Sequence, residues 1–179
     1  MNGKVRRFYE ELAAMSGLRL DPEGGALYGT YKGYGVAVLA PNPSYPYQMC
    51  AVFSASRPDG PLTKEECKQF LKEHKAAADL SQNGWQITMI IRGGMGQKHL
   101  RENFVQSLED TTAYLRGAGF TDCCQSCGKV TETDPCCVAG AYEHLCPDCY
   151  AALQQSRNQE SMRQAGKGEN ITGGLVGAL

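Results

Sequence analysis

Nine cysteines occur in the chain, and four of them fall into two C-x-x-C pairs, Cys124-Gln-Ser-Cys127 and Cys146-Pro-Asp-Cys149. Eighteen residues separate the pairs. A knuckle of this kind bends the backbone so that two sulfurs meet one ion, and a second knuckle carried round by the intervening loop closes a tetrahedron. The spacing therefore predicts one Zn²⁺ held by Cys124, Cys127, Cys146 and Cys149. With every position filled by sulfur, no site stays open for water or substrate, so the ion is expected to be structural. Cys123, beside Cys124, offers an alternative C-x-x-x-C ligand. Cys136 and Cys137, with Cys123 and His144, offer the atoms of a second site; spare thiols are the simpler reading, because adjacent cysteines rarely face one metal.

Other candidates for chemistry are weaker. Arg92-Gly-Gly-Met-Gly-Gln-Lys98 resembles a phosphate-cradling loop in composition only, since no hydroxyl follows Lys98 for a magnesium ion and no G-x-G-x-x-G register is present. It reads as a flexible turn. His74 and His99 lie in helical segments beside lysines and read as solvated. Cys50 and Cys67 fall on a strand and a helix, where cysteine acts as a small apolar residue. A thiol enzyme or redox sensor using Cys50, Cys67 or the Cys123/Cys136/Cys137 set is the alternative to a chain without catalysis. No histidine near them in sequence suggests a nucleophile and its base.

Around the quartet the text reads Cys124-Gln-Ser-Cys127-Gly-Lys and Val138-Ala-Gly-Ala-Tyr-Glu-His-Leu-Cys146-Pro-Asp-Cys149. Residues 121–155 resemble the N-terminal zinc-binding domain of the ClpX unfoldase family, which has the same C-x-x-C-G-K opening, interval and Ala-Gly. The resemblance implies a compact four-cysteine zinc fold, a ribbon-type module used for dimerisation and for docking other proteins. No ATPase cassette accompanies it, so unfoldase activity is not implied. Charge agrees with protein contact. Residues 118–157 carry Lys129 and Arg157 against Asp122, Glu132, Asp134, Glu143 and Asp148. Nucleic-acid binding needs clustered Lys and Arg, so it is not expected.

The elements that must position these residues read as an α+β chain, an antiparallel sheet with helices on one face, followed by the zinc module. Val5, Phe8, Leu12 and Met15 form a helical stripe closed by Gly17. Segments 26–31 and 34–39 flank the turn Lys32-Gly33 as a hairpin, and a third strand is expected over 47–54, after the proline-rich connection 41–46. Thr63-Lys-Glu-Glu66 is a capping box opening a helix expected to run through Ala78, up to a break at Asn83-Gly84. Trp85, Ile87, Met89 and Ile91 then alternate as the buried side of a strand. A last helix presents Leu100, Phe104, Leu108, Thr111 and Leu115 and ends at Gly117. This order loosely resembles that of type III secretion chaperones, in topology alone.

At 179 residues, 42% hydrophobic and 21% charged with a net charge of −1, the chain has the composition of a folded domain with a small appendage. Three parts are expected: 1–117 as the α+β sandwich, 118–157 as the zinc module, and 158–179 as a flexible tail. A module of this size cannot fold without its ion, so chelation is expected to unfold residues 121–155 and spare the front half. The N-terminus lacks the apolar run of a secretory signal, which with nine cysteines points to a reducing, cytoplasmic compartment. The last residues, Asn170 to Leu179, are small and apolar with Gly173 and Gly177 spaced as in packed membrane helices. They read either as the start of a membrane anchor on the cytoplasmic side or as a frayed terminus. Together these features predict a zinc-stabilised, non-enzymatic adaptor that contacts a protein partner or a second copy of itself.

Overall fold

A computed structural model describes residues 3–21, 23, 25–40, 47–93, 97–138 and 141–169. Its elements are α1 (Gly3–Ser16), β1 (Arg19–Asp21), β2 (Ala26–Tyr31), β3 (Tyr34–Leu39), β4 (Cys50–Ser56), α2 (Lys64–Glu73), β5 (Ala77–Asn83), β6 (Gln86–Ile91), α3 (Gln97–Gly117), β7 (Thr121–Asp122), β8 (Asp134–Val138), β9 (Ala141–Leu145) and α4 (Pro147–Glu169). The fold is α+β. One antiparallel sheet runs in the order β1-β2-β3-β4-β6-β5 with β7 added to β4, and β8 and β9 form a separate hairpin. The proline-rich connection 41–46, residues 94–96 of the glycine-rich loop and the terminal segment from Asn170 lie outside the described residues.

Strand register aligns the core. Leu27, Val38, Ala51, Met89 and Leu80 follow one another across five strands, and Val36, Phe53 and Ile87 form the next row. These rows share one cluster with Val5, Phe8 and Leu12 of α1, Phe70 of α2, and Leu100, Phe104, Leu108 and Leu115 of α3. Burying side chains of this size contributes about 1.5–3 kcal/mol each. Met15, expected on the α1 stripe, is exposed, and Tyr9 is buried instead. The opposite sheet face is capped near β2 and β3 by the β8–β9 hairpin, where Tyr142 joins Ala26 and Ala37.

Local chemistry sets the turns. Lys32 and Gly33 have φ of +48° and +86°, both positive as a type I′ hairpin needs. The Thr63–Glu66 capping box is formed: the Thr63 amide donates to Glu66 at 2.7 Å and the Glu66 amide donates to Thr63 Oγ1 at 3.2 Å. The helix it opens stops at Glu73, not at Ala78. Residues 77–83 instead form β5, hairpinned to β6 across Gly84 and Trp85, with Gly84 at φ +57°. Non-local bonds secure this: the Arg92 amide donates to the Ala76 carbonyl at 2.8 Å, and its guanidinium donates to the carbonyls of Lys75 and Ala77 at 2.7 and 3.0 Å. Trp85 accordingly sits in the turn, 43% exposed, and not on the buried side of a strand. At the end of α3 the Phe120 amide reaches the Leu115 carbonyl and the Gly119 amide that of Arg116, with Gly119 at φ +77°, a Schellman closure.

The chain divides into two compact units, Met1–Cys146 and Pro147–Leu179. Backbone pairing crosses position 117, since Ala55 and Ser56 of β4 pair with Asp122 and Thr121 of β7. The second unit is α4, which opens on Pro147, the residue suited to a first helical position, and is largely exposed along its described side chains. No helix among the described residues is long and apolar enough to cross a membrane.

Candidate metal centre

The segment after α3 is led to its place by β7 and by a buried carboxylate. Asp122 Oδ1 accepts from the Gly35 amide at 3.1 Å; Oδ2 accepts from the Thr133 amide at 2.7 Å and the Thr133 hydroxyl at 2.8 Å. Burial raises this carboxyl above the ordinary range, against the pull of those three donors. His144 lies beside the same spot, fully buried, and burial holds its imidazole neutral with a pKa pushed down to about 4. Gly35 makes the approach possible: a Cβ there would meet Thr133 Oγ1 at 2.5 Å and His144 Nδ1 at 3.2 Å.

From this anchor the first knuckle turns. The Cys124 amide donates to the Lys129 carbonyl at 2.9 Å, and the Gly128 amide donates to the Cys124 carbonyl at 2.8 Å. Gly128, at φ +71°, supplies the left-handed residue that closes the loop. The Gln125 amide donates to the His144 carbonyl at 2.8 Å, tying this loop to β9, which leads into Cys146.

The sulfurs of Cys124, Cys127, Cys146 and Cys149 all lie within 4.8 Å of one another. They are unbridged thiols. Cys127 and Cys146 sulfurs stand 3.9 Å apart, close to the roughly 3.8 Å edge of a tetrahedron with metal–sulfur bonds near 2.3 Å. Burial raises the Cys124 thiol, but the backbone amides of Cys146, Cys127 and Ser126 outweigh it and bring the thiol down to about 6. A thiolate so supported is a ready metal ligand. The donor set fits a soft or borderline ion in tetrahedral geometry. Four cysteines compatible with a metal ion are therefore gathered at one point, and they are the four in the C-x-x-C pairs.

The remaining thiols are placed otherwise. Cys123 is buried, its sulfur 3.8 Å from Ser54 Oγ, and burial raises its pKa. Burial likewise raises Cys50 and Cys67. The side chains of Cys136 and Cys137 lie outside the described set, so the second-site reading falls there; their backbone belongs to β8. His74 is not a solvated helix residue: it caps α2, stacks on Phe70 with ring centres 4.5 Å apart, and faces Asp110 Oδ2 at 3.1 Å. His99 is exposed, with Nδ1 3.5 Å from Glu102.

Sequence reasoning missed Asp122, Gly35 and Trp85 as parts of this region. Asp122 and Gly35, which bond to each other, are 87 residues apart, and no local pattern connects them. An α+β sheet carrying a four-cysteine cluster is the class that fold and site define. No family model, curated protein or solved structure matches the chain.

Proposed function

We propose that this chain is a zinc-stabilised, non-enzymatic protein-binding or adaptor module, with one structural Zn²⁺ on Cys124, Cys127, Cys146 and Cys149. The observation that carries the reading is the four-sulfur cluster itself. Four protein ligands complete a tetrahedral shell, so the ion organises the fold and activates no water. When bound, such an ion supplies stability of order 10–16 kcal/mol in small zinc peptides, coupled to thiol deprotonation. The resemblance of residues 121–155 to the ClpX zinc domain supports docking or self-association as its use. The acidic balance around the cluster favours a protein surface over nucleic acid. Against a thiol enzyme stand Cys50, Cys67 and Cys123, each held protonated by burial.

Elemental analysis of the purified chain, paired with light scattering before and after chelation, tests this. The expected result is a single zinc per chain, with loss of self-association or partner capture when it is removed. Iron in its place, no metal, a Cys124–Cys149 disulfide, or a fast-reacting thiol outside the quartet in the loaded protein would overturn it.

A further inference from the structure

Trp85 is the only tryptophan in the sequence and stands at the tip of the β5–β6 hairpin. Its backbone is fixed, because its carbonyl accepts from the Ala55 amide at 3.0 Å. Its indole rests on Gly128. A Cβ built at Gly128 would come within 2.7 Å of Cζ2, 2.9 Å of Cε2 and 3.3 Å of Cη2, so any side chain there would have to push the ring aside. Gly128 directly follows Cys127, so the turn that presents two cluster sulfurs also carries the ring.

Trp85 also lines a cavity of about 380 Å³, with Arg57, Pro61, Gln82 and Gly84 among the other lining residues. Much of that wall is braced by its own bonds. Arg57 makes paired bonds to Glu66 at 2.7 and 2.8 Å and donates to the carbonyls of Gly60 and Pro61 at 3.0 and 3.2 Å. Gln82 accepts from the Leu62 amide at 2.8 Å and donates to the Gly84 carbonyl at 2.9 Å. Trp85 differs in that its ring is backed by the cysteine turn.

We propose that the metal state of the four-cysteine cluster sets the shape of this cavity through Trp85. With the ion bound, the Cys124–Gly128 turn is rigid and the indole is held as a wall. With the ion lost, the sulfurs no longer fix the turn, Gly128 draws away and the indole swings into solvent, while the Arg57 and Gln82 walls stay. This rests on reading the cluster as a metal site, but goes further, since a structural ion need not be sensed anywhere else.

The test uses the full chain in three states: zinc-loaded, stripped by a chelator under reducing conditions, and reloaded. Metal content, Trp85 emission, acrylamide quenching and far-ultraviolet circular dichroism are read on the same samples. Stripping is expected to shift the emission to the red and increase quenching with most of the dichroism kept, and zinc to reverse both. Cys146→Ser should give the shifted emission without a chelator. Bound zinc whose removal leaves emission and quenching unchanged would overturn the coupling and leave the metal site standing. Absence of bound zinc would overturn both. Collapse of the dichroism on stripping would refute a local device.

Discussion

Replacing Gly35 by alanine tests how the cysteine-bearing segment is seated on the sheet. Gly35 sits in β3, paired with Thr30 of β2, and its φ is not in the left-handed region, so alanine imposes no backbone strain. On an open strand the change would stabilise by about 0.4–1 kcal/mol through the unfolded chain. Here the new methyl would lie 2.5 Å from Thr133 Oγ1, 3.1 Å from the Thr133 carbonyl and 3.2 Å from His144 Nδ1. The strand cannot retreat without breaking its ladder, so the 130s segment must move and loosen its bonds to Asp122. Overpacking of about 1–3 kcal/mol and a weakened bond to a charged group of about 1.5–3 kcal/mol, less the unfolded-chain gain of about 0.4–1 kcal/mol, give an expected loss of about 2–5 kcal/mol. Urea unfolding of the metal-loaded protein measures it. Thr133→Ala removes the nearest obstructing atom, so the double variant should cost at least about 1 kcal/mol less than the sum of the singles. A stabilising Gly35→Ala, or additivity within about 0.5 kcal/mol, would refute the close approach.

Three further outcomes follow from other parts of the molecule. The Arg57 side chain, then the Thr63 amide, holds the Glu66 carboxyl down at about 2. A lowered pKa means stability present above the ordinary value of 4.5 and lost as pH falls toward 2; because the side chain is 31% exposed, the loss is about 1 kcal/mol. Glu66→Gln should flatten urea midpoints across that window. Gly84→Ala places a Cβ at φ +57° and should cost about 1–2 kcal/mol by thermal unfolding without changing metal content. In the metal-loaded protein, Cys50, Cys67 and Cys123 should react with a thiol reagent near pH 7 more slowly than a free cysteine, measured by mass spectrometry of labelled peptides.

What could be read from the sequence was what short-range chemistry dictates. The C-x-x-C pairs, the Lys32-Gly33 turn and the Thr63/Glu66 cap each depend on residues at most three apart, and each is formed. The helix expected to reach Ala78 failed for the converse reason. Ala76-Ala77-Ala78 has helical propensity, yet Arg92 captures the carbonyls around it from seventeen and fifteen residues away and leaves it as the edge strand β5. Trp85 fitted an alternating pattern and lies instead in the turn, on a glycine 43 positions later. The β7 pairing and the Asp122 bonds are equally long in range. Two residues of strand carry too little pattern to announce themselves.

The insertion of β7 governs the order in which the protein can complete itself. While the chain emerges, the carbonyl of Ser54 and the backbone of Ala55 and Ser56 must wait some sixty-five residues for Thr121, Asp122 and Cys123 to arrive. Closing so long a loop is slow relative to local hairpins. Until then the Gly35 amide lacks its acceptor and part of β4 stays open. A chain cut after residue 117 would be frozen in that unfinished condition, so the front portion is better pictured as a vault awaiting its last stone than as a self-sufficient body.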